Sequence, residues 1–272
     1  MRVTLLGTGT SHGVPAIGCD CPVCRSTDPR DRRTRPSILL DLGEGPPPAA
    51  GTSAAAIGSA VRYLLVDTAT DLRAQALAYN VRRVDAILFT HSHADHIMGL
   101  DEVRRYNAIQ QTAIGCYADA STLASLRQVF SYIFDRKPRA GGGVPQLTLF
   151  QVGGPFSMGS VEILPIPIMH GPWPILGYRV GSFAYLTDCN HIPEASWPLL
   201  EGVRTLVLDA LRDRPHPTHF TVAQALEVVD RVAPERTYFT HICHDLPHAA
   251  TCARLPRGVE LAYDGLVLEI DG

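Results

Sequence analysis

The sequence predicts an α/β fold, with strands and helices mixed in one domain spanning residues 1–272. Three observations carry this expectation. Short apolar runs alternate with segments of helical spacing, His and Asp gather where the apolar runs stop, and the length suits one buried core.

Taken in order, Val3 to Leu6 reads as a strand ending in the turn Gly7-Thr8-Gly9-Thr10-Ser11-His12-Gly13. That spacing is not the dinucleotide fingerprint, so a tight turn beside the site is the expectation, with His12 solvated there. Ser37 to Asp41 and Arg62 to Asp67 follow as strands. Between them Gly43 to Ser59 is rich in Gly, Pro, Ala and Ser, which predicts a flexible insertion at about 43–60. Asp71 to Asn80 carries Leu72, Ala76, Leu77 and Tyr79 at helical spacing. Ala86 to Phe89 is an apolar strand, and Ile97 to Ile109 and Ala120 to Phe134 each read as one helix. Val161 to Met169, Phe183 to Thr187 and Arg236 to Thr240 are strand-like. Thr221 to Val232 is a helix whose Val222, Ala225, Leu226 and Val229 share one face.

The net charge of −3 argues against a generic binder of polyanions, so nucleic acid is not the favoured partner. No apolar stretch approaches the roughly twenty residues of a membrane helix, so no membrane partner is expected. Met1 to Gly7 reads as a strand and turn rather than a signal peptide, which predicts a cytoplasmic protein. A homodimer is left open.

The chemistry concentrates in Thr90-His91-Ser92-His93-Ala94-Asp95-His96, directly after the strand Ala86 to Phe89. Packing gives no reason for a strand to end in three imidazoles and a carboxylate. Imidazole nitrogen and carboxylate oxygen are the donors that zinc, manganese or iron prefer. The loop holds more ligands than one hydrolytic ion needs, because such an ion keeps a position open, so two ions side by side are expected. A second cluster, Cys19-Asp20-Cys21-Pro22-Val23-Cys24, holds thiols close enough to be zinc ligands or disulfide partners. In a reducing compartment metal is favoured, and three thiolates need a fourth ligand from elsewhere.

The loop resembles the His-x-His-x-Asp-His motif of the metallo-β-lactamase superfamily, which implies a four-layer αββα sandwich and a single hydrolase domain. Members complete two metal sites with a later His, Asp and His, each after a strand; His170, Asp188 and His241 stand in that order. The resemblance thus implies one ion on His91, His93 and His170 and another on Asp95, His96 and His241, with Asp188 bridging. Redox relatives replace the second His of the motif with Glu; His93 is intact, which points to hydrolysis.

Within the superfamily, Cys-x-Cys-x-x-Cys near the N-terminus resembles the phosphodiesterases associated with the carbon–phosphorus lyase system, which act on a cyclic ribose phosphate. In that group a His three residues beyond the last active-site His completes a structural zinc site. His244 stands there, giving Cys19, Cys21, Cys24 and His244. The same group places a proton-donating His before the penultimate helix, a position held by His219, with His216 nearby as a competitor.

The resemblance implies a phosphodiesterase for a small cyclic or nucleotide-like diester. It would use two divalent ions, zinc or manganese, sharing a hydroxide. His219, Asp95 and Asp188 would be its catalytic residues. The alternatives are a tRNA 3′-processing endoribonuclease, another ester hydrolase on this fold, or a non-catalytic metal-dependent module. Arg32, Arg33 and Arg35, and separately Arg136, Lys137 and Arg139, are basic clusters read as solvated or locally paired charge. Arg104, Arg105, Tyr106 and Asn107 are candidates to line a pocket. Cys243 is expected to be a buried, inert thiol.

Overall fold

The computed structural model of the protein describes residues 1–43, 61–135, 143–159 and 161–271. The expected insertion at about 43–60 lies outside the described residues except for Gly43 and, at its border, Val61. Arg136, Lys137 and Arg139 lie outside them as well.

Among the described residues, fourteen strands form two seven-stranded sheets. The first contains β1 (Arg2–Gly7), β2 (Ser37–Asp41), β3 (Tyr63–Val66), β4 (Ala86–Leu88), β5 (Ile114–Ala118) and β6 (Leu147–Gln151) in chain order. The second contains β7 (Phe156–Met158), β8 (Val161–His170), β9 (Trp173–Val180), β10 (Phe183–Leu186), β11 (Thr205–Asp209), β12 (Arg236–Thr240) and β13 (Val259–Leu261). The last strand, β14 (Val267–Glu269), returns to pair antiparallel with β1 in the first sheet. Each sheet has an antiparallel half and a parallel half, the latter being β3 to β6 in one and β10 to β13 in the other.

Period-2 alternation sorts the strand side chains into separate cores. Val3, Leu40, Leu64, Leu88, Phe183, Tyr185 and Val207 meet between the sheets. Leu65, Ile87 and Phe89 face the other way, toward α1 (Leu72–Ala78), α2 (Ala94–Ile97), α3 (Arg104–Gln110) and α4 (Ala120–Val129). On the far side Leu206, Leu208 and Phe239 pack against Ala225 and Val228. Those two residues lie on the next long helix, which follows the short α5 (Ser131–Phe134) and is α6 (Val222–Val232). The result is an α/β/β/α sandwich. Burial on both faces explains why the parallel strands read as continuous apolar runs.

α6 matches its expected span and is capped by a reciprocal pair, Thr221 accepting from the Gln224 amide while the Gln224 side chain accepts from Thr221. Two expected helices are corrected. Ile97 to Ile109 is broken into α2, a 3-10 turn at Leu100–Val103 and α3. Gly99 is the reason: its amide donates to the carbonyl of Thr68 at 2.9 Å, and the close approach of that backbone leaves no room for a side chain. Ala120 to Phe134 splits at Phe130, whose φ of −108° and ψ of 39° are not helical.

The sandwich puts the C-terminal ends of β3, β4, β10, β11 and β12 along one edge. In layered sheets that edge gathers ligands. No helix among the described residues is long and apolar enough to cross a membrane.

Candidate active site

Every strand on that edge hands over a polar residue. β4 leads into His91, His93, Asp95 and His96; β8 ends at His170; Asp188 follows β10 and His241 follows β12. The side chains converge in two groups. The donor atoms of His91, His93 and His170 lie within 4.8 Å of one another, as do those of Asp95, His96, Asp188 and His241. Asp188 joins the groups: its Oδ1 is 3.1 Å from His241 Nε2 and 4.0 Å from His91 Nε2, and its Oδ2 is 3.2 Å from His96 Nε2. Asp188 and His241 hold left-handed backbones at φ +57° and +58°. Asp and His enter that region more readily than most side chains, and such strain clusters at functional sites.

The far nitrogens of His91, His96 and His170 are tied back to the protein, whereas His241 Nδ1 is buried without a hydrogen bond. His96 Nδ1 donates to Asp67 at 2.7 Å, and His170 Nδ1 donates to the carbonyl of Thr218 at 3.0 Å. His91 Nδ1 donates to Thr90 Oγ1 at 3.0 Å, and that hydroxyl donates to Asp67 at 2.8 Å. Such anchoring fixes the tautomer and turns each Nε2 inward.

The residues fit metal ions on the structure's own terms. His91 Nε2, His96 Nε2 and His241 Nε2 are buried, carry no hydrogen bond, and face carboxylate oxygens. Buried polar atoms are otherwise almost always paired. Burial pulls His91 well below the usual imidazole range and His170 to about 4, so both rings are neutral at pH 7, the form in which imidazole can ligate a metal. Burial works against ionising Asp188, but the His241 and His96 imidazoles outweigh it and hold its carboxyl well below the usual range.

Asp67 and Asp209 escaped the sequence reading. Asp209 ends β11 fully buried; its Oδ2 accepts from His219 Nδ1 at 2.6 Å and from the Cys189 amide at 2.9 Å. The signal was present, since Thr205 to Asp209 is an apolar run closing on a carboxylate, the pattern that identified Asp188. His219 sits over both groups, its ring stacked 4.5 Å from His241 and 4.8 Å from His170. Burial raises Asp209 and lowers His219, drawing the proton affinities of the pair together. His216 is 5.0 Å from His219 and accepts from the Thr218 amide.

The cysteine loop meets the last loop. Cys19, Cys21 and Cys24 place Sγ at 3.2, 3.7 and 3.4 Å from His244 Nδ1, and all four donor atoms lie within 4.8 Å of one another. Three sulfurs and one imidazole suit a closed tetrahedral zinc site. Cys243 stays outside this set, buried, with its sulfur accepting from the Asp245 amide. Arg33, read from sequence as part of a basic cluster, is buried: it pairs with Asp31 and donates to the carbonyls of Cys243 and Leu246. Arg35 pairs with Asp71. Neither faces the metal groups. Arg104, Arg105, Tyr106 and Asn107 line clefts that contain none of the candidate ligands.

Cys24→Ser should remove one ion per chain. It should also lower the thermal midpoint by at least about 5 °C, at roughly 2–4 °C per kcal/mol for a chain of this size. Elemental analysis and calorimetry read both.

A second stability effect follows from His248, whose amide donates to Asp31 at 2.8 Å. Burial, with help from Arg30 and Arg33, lowers its pKa to about 4, as burial does for His170. The unfolded rings protonate near 6.5 and the folded ones near 4, so unfolding takes up protons in that window. In the metal-free protein the stability these two rings contribute should therefore be fully present above about pH 6.5 and be lost progressively as pH falls toward 4. Thermal melts across pH after chelation check this, and His248→Gln should flatten the profile.

Comparison with known proteins shows the family. A family profile described as "Beta-lactamase superfamily domain" matches residues 62–242. The crystal structure of a diphosphatase from the PhnP family is 42% identical, with a TM-score of 0.86 covering 99% of this chain and 98% of that one. An octanoyltransferase of Porphyromonas gingivalis is 36% identical over 273 residues, which is 100% of this chain but 52% of that protein. The chain thus spans about half the length of the curated relatives it matches. Zinc-bound PqqB of Methylobacterium extorquens shares the fold at 19% identity, with a TM-score of 0.74 over 99% of this chain and 100% of that one.

Proposed function

The chain belongs to the beta-lactamase superfamily and, within it, to the PhnP family, and on that premise we propose that it hydrolyses a small phosphodiester at a two-metal centre. It is a metal-dependent hydrolase of that fold. The substrate class we favour is nucleotide-like: a cyclic or open diester, or an internal diphosphate, in which each phosphorus also carries two ester-type links. The 42%-identical diphosphatase supports the phosphorus chemistry. The octanoyltransferase name belongs to a protein twice as long and does not alter this reading.

Zinc or manganese would occupy the paired site, held by His91, His93 and His170 on one side and Asp95, His96 and His241 on the other, with Asp188 between. Zinc would occupy the cysteine site, which suits a reducing compartment such as the cytoplasm. Divalent ions supply Lewis acidity and lower the pKa of bound water. The chain's own residues do the rest. The neutral His91 and His170 imidazoles and the ionised Asp95 and Asp188 contribute to the charge of the site, and the anchors at Asp67, Thr90 and Thr218 keep the rings aimed. His219 holds a proton at the mouth, where a departing alkoxide needs one, and Asp209 keeps that imidazole in one tautomer while stabilising its charged form.

The observation that carries this reading is the His219–Asp209 pair set directly over both ligand groups. A phosphodiester with an alkyl leaving group requires such a donor. Assays of the zinc- and manganese-loaded protein on bis(p-nitrophenyl) phosphate, p-nitrophenyl phosphate, a thioester and a β-lactam test it. The diester should be cleaved fastest; preference for the thioester or lactam would overturn the proposal.

A further inference from the structure

Beside the first ligand group the fold leaves a cleft of about 370 Å³, at the small end of the range for ligand sites. One wall is Trp173, 56% exposed although it stands in an ordered hairpin. It opens β9 directly opposite His170, across the turn at Gly171 and Pro172. That turn is fixed: Gly171 holds φ +61°, and a side chain there would press on Thr218. The hairpin tip therefore delivers a candidate ligand and an indole together. The Trp173 ring lies 6.0 Å from His93 and 6.3 Å from His170.

Hydroxyl-bearing residues also line the cleft, Ser92 on the candidate metal loop and Ser121 and Ser125 on α4, the Ser121 hydroxyl donating to Asp119 at 2.7 Å. No Lys, Arg, Asp or Glu is among the described residues lining the cleft. A second phosphate would find no cation here and a basic amine no carboxylate. A neutral flat ring would find a face to stack on and hydroxyls for its polar edge. The other tryptophan of the chain, Trp197, has its face covered by the Arg231 guanidinium at 3.8 Å. Trp173 is the one left open, and it is open at the edge of the metal groups.

We propose that this cleft is a subsite for a neutral planar heterocycle, a nucleobase borne by the phosphate substrate, stacked on Trp173. The inference rests on the phosphoester reading of the metal centre and adds which part of the substrate lies where.

The test uses the metal-loaded protein in a Trp197→Phe background, where Trp173 is the sole tryptophan. Adenosine 5′-monophosphate should quench its fluorescence and bind at least about tenfold tighter than ribose 5-phosphate, in line with the strength of base–aromatic stacking. Trp173→Ala, read by calorimetry, should bring the two affinities together by weakening only the adenosine compound, and Trp173→Phe should restore most of the difference. Equal binding of the two phosphates to the unsubstituted protein, binding of neither, or an equal loss of both in Trp173→Ala would overturn the subsite. Turnover of bis(p-nitrophenyl) phosphate reports separately on the chemistry. Turnover without a base preference rejects the subsite alone; a base preference without turnover of any phosphoester rejects the proposed reaction and leaves the subsite standing.

Discussion

Asp188→Asn should lower kcat/KM by at least about a thousandfold, on the order of 4 kcal/mol of transition-state stabilisation. Asp188 is the side chain that reaches both ligand groups, with oxygens at 3.1 Å from His241, 3.2 Å from His96 and 4.0 Å from His91. Asparagine keeps the shape but removes the charge, and it replaces one acceptor oxygen by a donor. Occupancy of both ions should fall with activity. The β10–β11 core beneath the residue is untouched, so circular dichroism should match the parent. Steady-state kinetics with metal analysis on one preparation measures all of this. A variant that cleaves the diester at the parental rate would rule out a shared two-metal site.

The second large effect is predicted at His219 and depends on the leaving group. With an alkyl diester, His219→Ala should cost about 10²–10⁴ in kcat, the usual worth of a positioned acid. With bis(p-nitrophenyl) phosphate the loss should be far smaller, because p-nitrophenolate departs without a proton. Asp209→Asn should follow the same pattern more mildly, at about 10–100-fold, since it acts by holding Nδ1 of His219 at 2.6 Å. Sign matters for pH. An acid must carry its proton, so the alkyl rate should fall as pH rises through the pKa of the pair, and His219→Ala should abolish that limb. Equal losses on both substrates would instead mean that His219 shapes the site without donating.

Much of this candidate site was legible because its ligand-type residues ride on strand ends. The run Ala86 to Phe89 announces a buried strand, and four ligand-type residues within the next seven positions have no rival explanation. His170, Asp188 and His241 each follow an apolar run, and the sheet order brings those runs to one edge. Asp67 and Asp209 were harder. A lone Asp at a strand end also reads as a turn residue, and only folding reveals that Asp67 meets His96 and that Asp209 meets His219. Arg33 illustrates the reverse case. Its neighbours Arg32 and Arg35 suggest surface charge, yet the guanidinium is buried against the carbonyls of the loop that carries His244. The helix breaks at Gly99 and Phe130 come from tertiary backbone contacts and local dihedrals that side-chain periodicity does not register.

The most direct test is a metal titration of the apo protein, followed by bound ions per chain and diester turnover at each step. Three ions should bind, one of them lost in Cys24→Ser without abolishing turnover, and activity should appear only as the remaining two are filled. Full activity with a single ion in the Cys24→Ser protein would contradict the two-metal centre.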